Sequence, residues 1–413
     1  MRRSAAMMFH AAVSAALVAA SVTALAQSFE PPPSFNAAQI PGIARAGDNY
    51  SIDNRVTSDG ILRVYRLQTR YGDFTVFGDG MIGLRIAELR ALAALEKVSQ
   101  SNTFAEALAK AGIAPIEFVG GLVTRPVDTV KNTLSGVGAT FGRIGSGISN
   151  AGKSPDNALE SVLGVTGERR DIAAAYGVDP YTDFPPLDEK LDQLSRAAAL
   201  GGLTVRGALL AVPGAAGIVV SNLSTVSRVS NLGVEELARK FTGAQILDLN
   251  RDLLGKMGVP RELSERLLAN RNYTPVDMLA LVAALDSMKG VGDRAVFATR
   301  AAAADTRDIG YYFRRQAELL ALAHRRHADM VRFVALAGDP FVELRDGRIV
   351  TIAPMDALSW TRTTAEGVAA VTQARNRFAP KAAGEIRITG TATRLARKQL
   401  KTLGWTVVEG EKL

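Results

Sequence analysis

The sequence predicts a mainly α fold with α+β parts: a small N-terminal antiparallel β-meander, a large helical body and a small C-terminal α+β cap. Three observations predict it. Apolar and polar residues alternate from Tyr50 to Phe77 around Asp59-Gly60 and Gly72-Asp73, the pattern of short strands joined by tight turns. Helical spacing recurs in nearly every segment from Asn102 to about Leu336. A hairpin signal and a strand-helix-strand signal fill the remainder. The expected divisions are 1–26, 27–49, 50–99, 100–336 and 337–413.

Residues 1–26, MRRSAAMMFHAAVSAALVAASVTALA, place Arg2 and Arg3 before a run rich in Ala, Val and Met and end in Ala24-Leu25-Ala26. This is the layout of a cleaved signal peptide, and its alanine-rich middle is weak for a spanning helix. A periplasmic or secreted location is therefore expected. Residues 27–49 contain four prolines and no sustained periodicity, as in a linker or extended arm. After the meander, Leu84, Ile86, Leu89, Leu92, Ala93 and Leu95 predict a helix from about Met81 to Val98.

Within the body, helices are expected near 103–111, 115–133, 168–176, 187–200, 234–256, 260–269, 275–288 and 306–336. In the cap, "FVELRDGRIVTIAP" turns at Asp346-Gly347. "EIRITGTATRLARKQLKTLGWTVVEG" reads strand, helix, strand, with Thr391 available as N-cap and Gly404 suited to the left-handed helix end.

Composition narrows the chemistry. The 413 residues include no cysteine, which excludes disulfides, thiolate metal sites and cysteine nucleophiles. At 47% hydrophobic and 22% charged, the chain has the composition of a folded protein. Its net charge is +8, or +6 without Arg2 and Arg3; residues 300–413 hold 19 Lys and Arg against 12 Asp and Glu, a balance of +7. The C-terminal part supplies the whole basic excess. In an exported protein, that excess suits anionic lipid, a polysaccharide or a protein partner in the envelope, with peripheral membrane contact, and no nucleic acid is expected.

His324 and His327 are the two histidines beyond residue 26. At about 100° per residue, with Leu320 at zero, they fall near about +40° and −20°, inside the apolar stripe of the helix expected over 306–336. Arg314, Arg315, Glu318, Arg325, Arg326, Asp329 and Arg332 fall on the opposite face. This placement makes the pair hydrogen-bonded core residues. The functional alternative is an i, i+3 pair serving a metal or acid/base site in an exported hydrolase; no HExxH motif supports it, and no metal or other cofactor is expected.

A G-x-S-x-G elbow and a complete phosphate loop are both missing from the sequence. Segments 132–152 and 207–227 are glycine-rich and nearly free of charge, with small residues at four-residue spacing. That spacing lets helices approach closely, and it carries a further alternative, a membrane-active protein. The leading expectation is an exported, non-enzymatic envelope protein. Its surface-binding residues would be Arg394, Arg397, Lys398 and Lys401 on the C-terminal helix, joined by Arg325 and Arg326.

Overall fold

A computed structural model describes residues 29–99, 166–201 and 233–412. The signal segment, the helices expected at 103–111 and 115–133, and both glycine-rich segments lie outside the described residues. Among those described, helices combine with an N-terminal sheet that curls and a C-terminal sheet, giving a mixed α/β architecture.

The first sheet comprises β1 (Phe35–Asn36), β2 (Ala46–Gly47), β3 (Tyr50–Ile52), β4 (Arg55–Ser58), β5 (Arg63–Thr69) and β6 (Gly72–Phe77). Its order is β1-β4-β5-β3-β2, with β6 also paired to β5. Because β5 carries three partners along its length, the sheet must curl around it. Tyr65 and Leu67, at alternate positions of β5, are fully buried against α1 (Asp79–Ser99), as the period-2 pattern requires. The proline-rich stretch departs from the linker expectation: Phe35 pairs with Val56, and Ala46 with Ser51. Ahead of it, Glu30 accepts hydrogen bonds from the Trp360 amide, at 2.7 Å, and from the Thr393 hydroxyl.

The helical body contains α2 (Gly167–Ala175), α3 (Pro185–Gly201), α4 (Val234–Lys240), α5 (Gly243–Lys256), α6 (Arg261–Leu268), α7 (Pro275–Ser287), α8 (Ala295–Ala302) and α9 (Arg307–His327). The single helix expected over 234–256 is two helices. Thr242 leaves helical geometry and forms a capping box with Gln245, which starts α5 afresh.

The helix expected over 306–336 stops at His327. Ala328 takes a left-handed conformation (φ 50°) and ends α9, and Met330–Leu336 is strand β7. The reason lies in a register shift between Met330 and Arg332. This bulge breaks the period-2 alternation that would have marked a strand. What remains, with Val331 and Val334 eleven and fourteen residues beyond Leu320, mimics a helical stripe.

The C-terminal sheet has the order β13-β11-β9-β8-β7. Strands β7, β8 (Asp339–Leu344) and β9 (Ile349–Ala353) form an antiparallel meander, whereas β9, β11 (Gly384–Ile388) and β13 (Trp405–Val408) are parallel. Parallel neighbours require crossovers. Helices α10 (Arg362–Phe378) and α11 (Arg394–Thr402) supply them, beside the two-residue parallel pair β10 (Ala357–Leu358) and β12 (Thr391–Ala392). Thr393, not Thr391, caps α11, because Thr391 is held in β12; Gly404 closes the helix at φ +77° as its sequence position requires.

Two large cores result. One unites the N-terminal sheet with α1 to α3; the other unites α5 to α9 with the C-terminal sheet. Asp356 joins them. Its Oδ2 accepts the amides of Arg63, at 3.1 Å, and Asp79, at 2.9 Å, across 293 and 277 residues of chain.

Candidate functional site

Strand register builds a cavity on one face of the C-terminal sheet. Continuing the register of Val342–Val350 and Glu343–Ile349 sets Phe341 of β8 against Thr351 of β9; Thr351 pairs with Ile386 of β11, and Trp405 of β13 lies on the same face two residues before the partner of Ile386. Tyr312, Phe313 and Gln316 of α9 form one wall, and Thr364, Val368 and Val371 of α10 another. The space between them, about 790 Å³ when the open solvent at its mouth is counted, has a mostly apolar lining. A mostly apolar lining with a few polar groups is the character of small-molecule sites.

Few polar groups enter this space. Asp339 Oδ1 accepts from Arg300 Nε at 2.8 Å, while its Oδ2 is buried with no hydrogen-bond partner among the described residues. Burial pushes the Asp339 carboxyl above its ordinary range, against the opposing pull of Arg300. Gln316 donates from Nε2 to Thr351 Oγ1 at 3.3 Å, and its Oε1 is likewise buried and unpartnered. Gln316 and Asp339 are only 4% and 8% exposed. Buried acceptors of this kind ordinarily find a donor.

Compared with known protein families, characterised proteins and solved structures, the chain finds no match. The functional reading rests on its own geometry.

The histidines do not form the core pair that their angles predict. His324 is half-buried, with Nδ1 shielded and without a partner among the described residues, and His327 is exposed as the last residue of α9. The apolar stripe ends with the helix, so none of the described residues covers His327. No group of three His, Cys, Asp or Glu side chains suited to a metal ion occurs among the described residues.

On the basic surface, Arg394, Arg397, Lys398 and Lys401 are all exposed on α11, as are Arg325 and Arg326 at the end of α9. Arg397 pairs with Glu409 at 2.6 Å, and Arg326 lies 3.9 Å from Glu411. The C-terminal tail thus runs between the two patches and offsets part of their charge. Arg394, Lys398 and Lys401 have no carboxylate within ion-pair distance among the described residues.

The other face of α9 departs most from expectation. Arg314 and Glu318, placed by their angles in solvent, are 3% and 1% exposed. They belong to an alternating chain of charges. Glu88 meets Arg85 at 2.7 Å, Arg85 meets Asp183 at 2.7 Å, and Asp183 meets Arg307 at 3.1 Å. From Arg307 the chain continues to Asp277 at 2.6 Å, to Arg314 at 2.6 Å, to Glu318 at 3.0 Å and to Arg315 at 2.7 Å. Four carboxylates and four guanidinium groups balance, which is the condition for burying them. One signal for this was present in the sequence. PVDMLALVAALDS, helix α7, is apolar on nearly every side, so α7 must be buried all round and its Asp277 must find cations inside.

Asp183 within this chain and Asp179 beside it titrate in opposite senses. Burial, reinforced by neighbouring Asp277, pushes Asp179 up to about 7, although Thr274 Oγ1 donates to it at 2.5 Å. Burial also acts on Asp183, but Arg307 and Arg85 outweigh it and hold that carboxyl down at about 2. The folded state therefore binds more protons than the unfolded chain at Asp179 from about pH 4 to pH 7, so this group's contribution falls as pH rises. Asp183 contributes stability above about pH 4 that is lost as pH falls toward about 2. Substituting Asp179→Asn should flatten the decline in Tm between about pH 4 and pH 7. A variant whose Tm declines as steeply as the parent's would place the responsible proton elsewhere, Asp308 being next because burial raises it to about 6.

Proposed function

We propose that the chain is a mainly helical, exported, non-enzymatic envelope protein, working in the periplasm or outside the cell, that binds anionic lipid surfaces through the exposed face of α11. The observation that carries this reading is the trio Arg394, Lys398 and Lys401, all exposed, and unpaired among the described residues, at positions i, i+4 and i+7 of one helix. At about 1.5 Å of rise per residue the trio spans about 10 Å, so a flat anionic surface engages all three together. Arg325 and Arg326 extend the positive region beyond the C-terminal tail. Leu400 and Ala396 fix the helix by burial on its other side, so the cations are presented on a rigid base.

The structure refines the choice of test residues. Arg397 is committed to Glu409, so its replacement would mix two effects. The variant Arg394→Gln, Lys398→Gln, Lys401→Gln removes the unpaired charges alone. Each cation near an anionic leaflet is worth about 1 kcal/mol, so the triple variant should bind phosphatidylglycerol vesicles about 100-fold more weakly in co-sedimentation. Parent binding should weaken steeply as salt rises, since the Debye length is about 8 Å at physiological ionic strength. Equal binding by parent and variant, or parent binding insensitive to salt, contradicts the proposal. Binding to an anionic polysaccharide but not to vesicles would transfer the same face to a different partner and also overturn the lipid assignment.

A further inference from the structure

We infer that the cavity between α9, α10 and the C-terminal sheet is a binding site for a small neutral amphiphile, an apolar body bearing one hydroxyl, whose hydroxyl is held at Asp339 and Gln316. The inference is independent of the lipid-surface reading, because no residue of the α11 basic face lines the cavity.

Shape and chemistry agree on this class. Walls built from Phe341, Ile386, Trp405, Val368 and Val371 favour an aliphatic body. At the polar end, Asp339 and Arg300 already pair at 2.8 Å, so the end is electrically balanced before any ligand arrives. A cationic head would be set beside Arg300 and an anionic head beside the free oxygen of Asp339, each desolvated against a like charge. A neutral donor avoids both costs. Asp339 Oδ2 needs a hydrogen-bond donor, as does Gln316 Oε1. A hydroxyl carries one donor hydrogen, which goes to Asp339 Oδ2; its oxygen then accepts from Gln316 Nε2 once that amide turns over, with Thr351 Oγ1 donating to Gln316 Oε1 in exchange.

Trp405 lines the cavity, so tryptophan fluorescence of the whole chain reports occupancy. Titration should compare 1-octanol with its isomer 1-methoxyheptane, which has the same atoms but no donor hydrogen, and with octylammonium and octanoate. Saturable binding of octanol is expected, at least tenfold tighter than that of the ether or either ion, because an unmet buried acceptor is costly. Val368→Trp should fill the space and abolish saturation. If that variant fails to fold, Gln316→Leu serves instead; it should narrow the alcohol-to-ether preference while leaving ether affinity within about threefold. Equal affinity for the alcohol and the ether would reduce the cavity to a greasy void and overturn the inference. Absence of saturable binding by octanol, or tighter binding of either ion, would overturn it as well.

Discussion

Replacement of Arg314 by methionine should lower the free energy of unfolding by about 3 to 5 kcal/mol, the cost of removing one member of a buried ion pair. The guanidinium of Arg314 contacts Asp277 on one side and Glu318 on the other, and both carboxylates are 1% exposed. Without it, the ion partners left among the described residues are Arg307 for Asp277 and Arg315 for Glu318. Each then bears a charge that half its former partners must hold. Arg314→Lys keeps the charge but loses the planar fork that reaches two carboxylates at once, so an intermediate loss is expected. Denaturant titration of the three proteins checks the order. A methionine variant within about 1 kcal/mol of the parent would mean that water reaches the network and screens it.

A second large effect is expected at Asp356. This residue is 4% exposed and caps two amides on the N-terminal sheet and α1, those of Arg63 and Asp79. Burial, with a further push from the nearby Asp79 carboxylate, raises its own carboxyl well above the ordinary range. The side chain is therefore valued as an acceptor rather than as a charge. Asp356→Leu strands two buried donors and should cost about 2 to 5 kcal/mol, at about 1 to 3 kcal/mol for each unsatisfied group. Asp356→Asn keeps an acceptor oxygen in place, and its loss should be the smaller by a wide margin. Equal losses for the two variants would show that the negative charge itself is needed.

Legibility in the sequence followed the locality of the signal. The strands around β5, the hairpin at Asp346-Gly347 and the closing helix α11 with its strand β13 were readable, because turn residues and periodicity lie within a dozen positions. Helix α10 was not expected: RTTAEGVAAVTQARNRF has a stripe of small residues rather than large apolar ones, and its burial depends on strands that flank it in space. The break at Ala328 was hidden for a different reason. A bulge in β7 removed the alternation that distinguishes strand from helix.

The candidate site was legible only in part. Exposure of Arg394, Lys398 and Lys401 follows from helical angles alone, but the loss of Arg397 to Glu409 depends on where β13 ends. Gln316 fell on the apolar stripe by its angle and is indeed buried. Asp339 gave no such warning, since a residue opening a hairpin strand is ordinarily in solvent. Arg314 misled because a helix wheel assumes one buried face, whereas α7 covers the second.

The clamp at Asp356 and the tie of Glu30 to Thr393 also fix an order in time. These bonds join residues 293, 277 and 363 positions apart, so the first strands made cannot dock until the last ones exist. At ribosomal rates of about 5 to 20 residues per second, the sheet beginning at Phe35 waits about 15 to 60 s for Asp356 to be synthesised. For all that interval its amides at Arg63 and Asp79 lack their acceptor, and the early chain is held short of its final state.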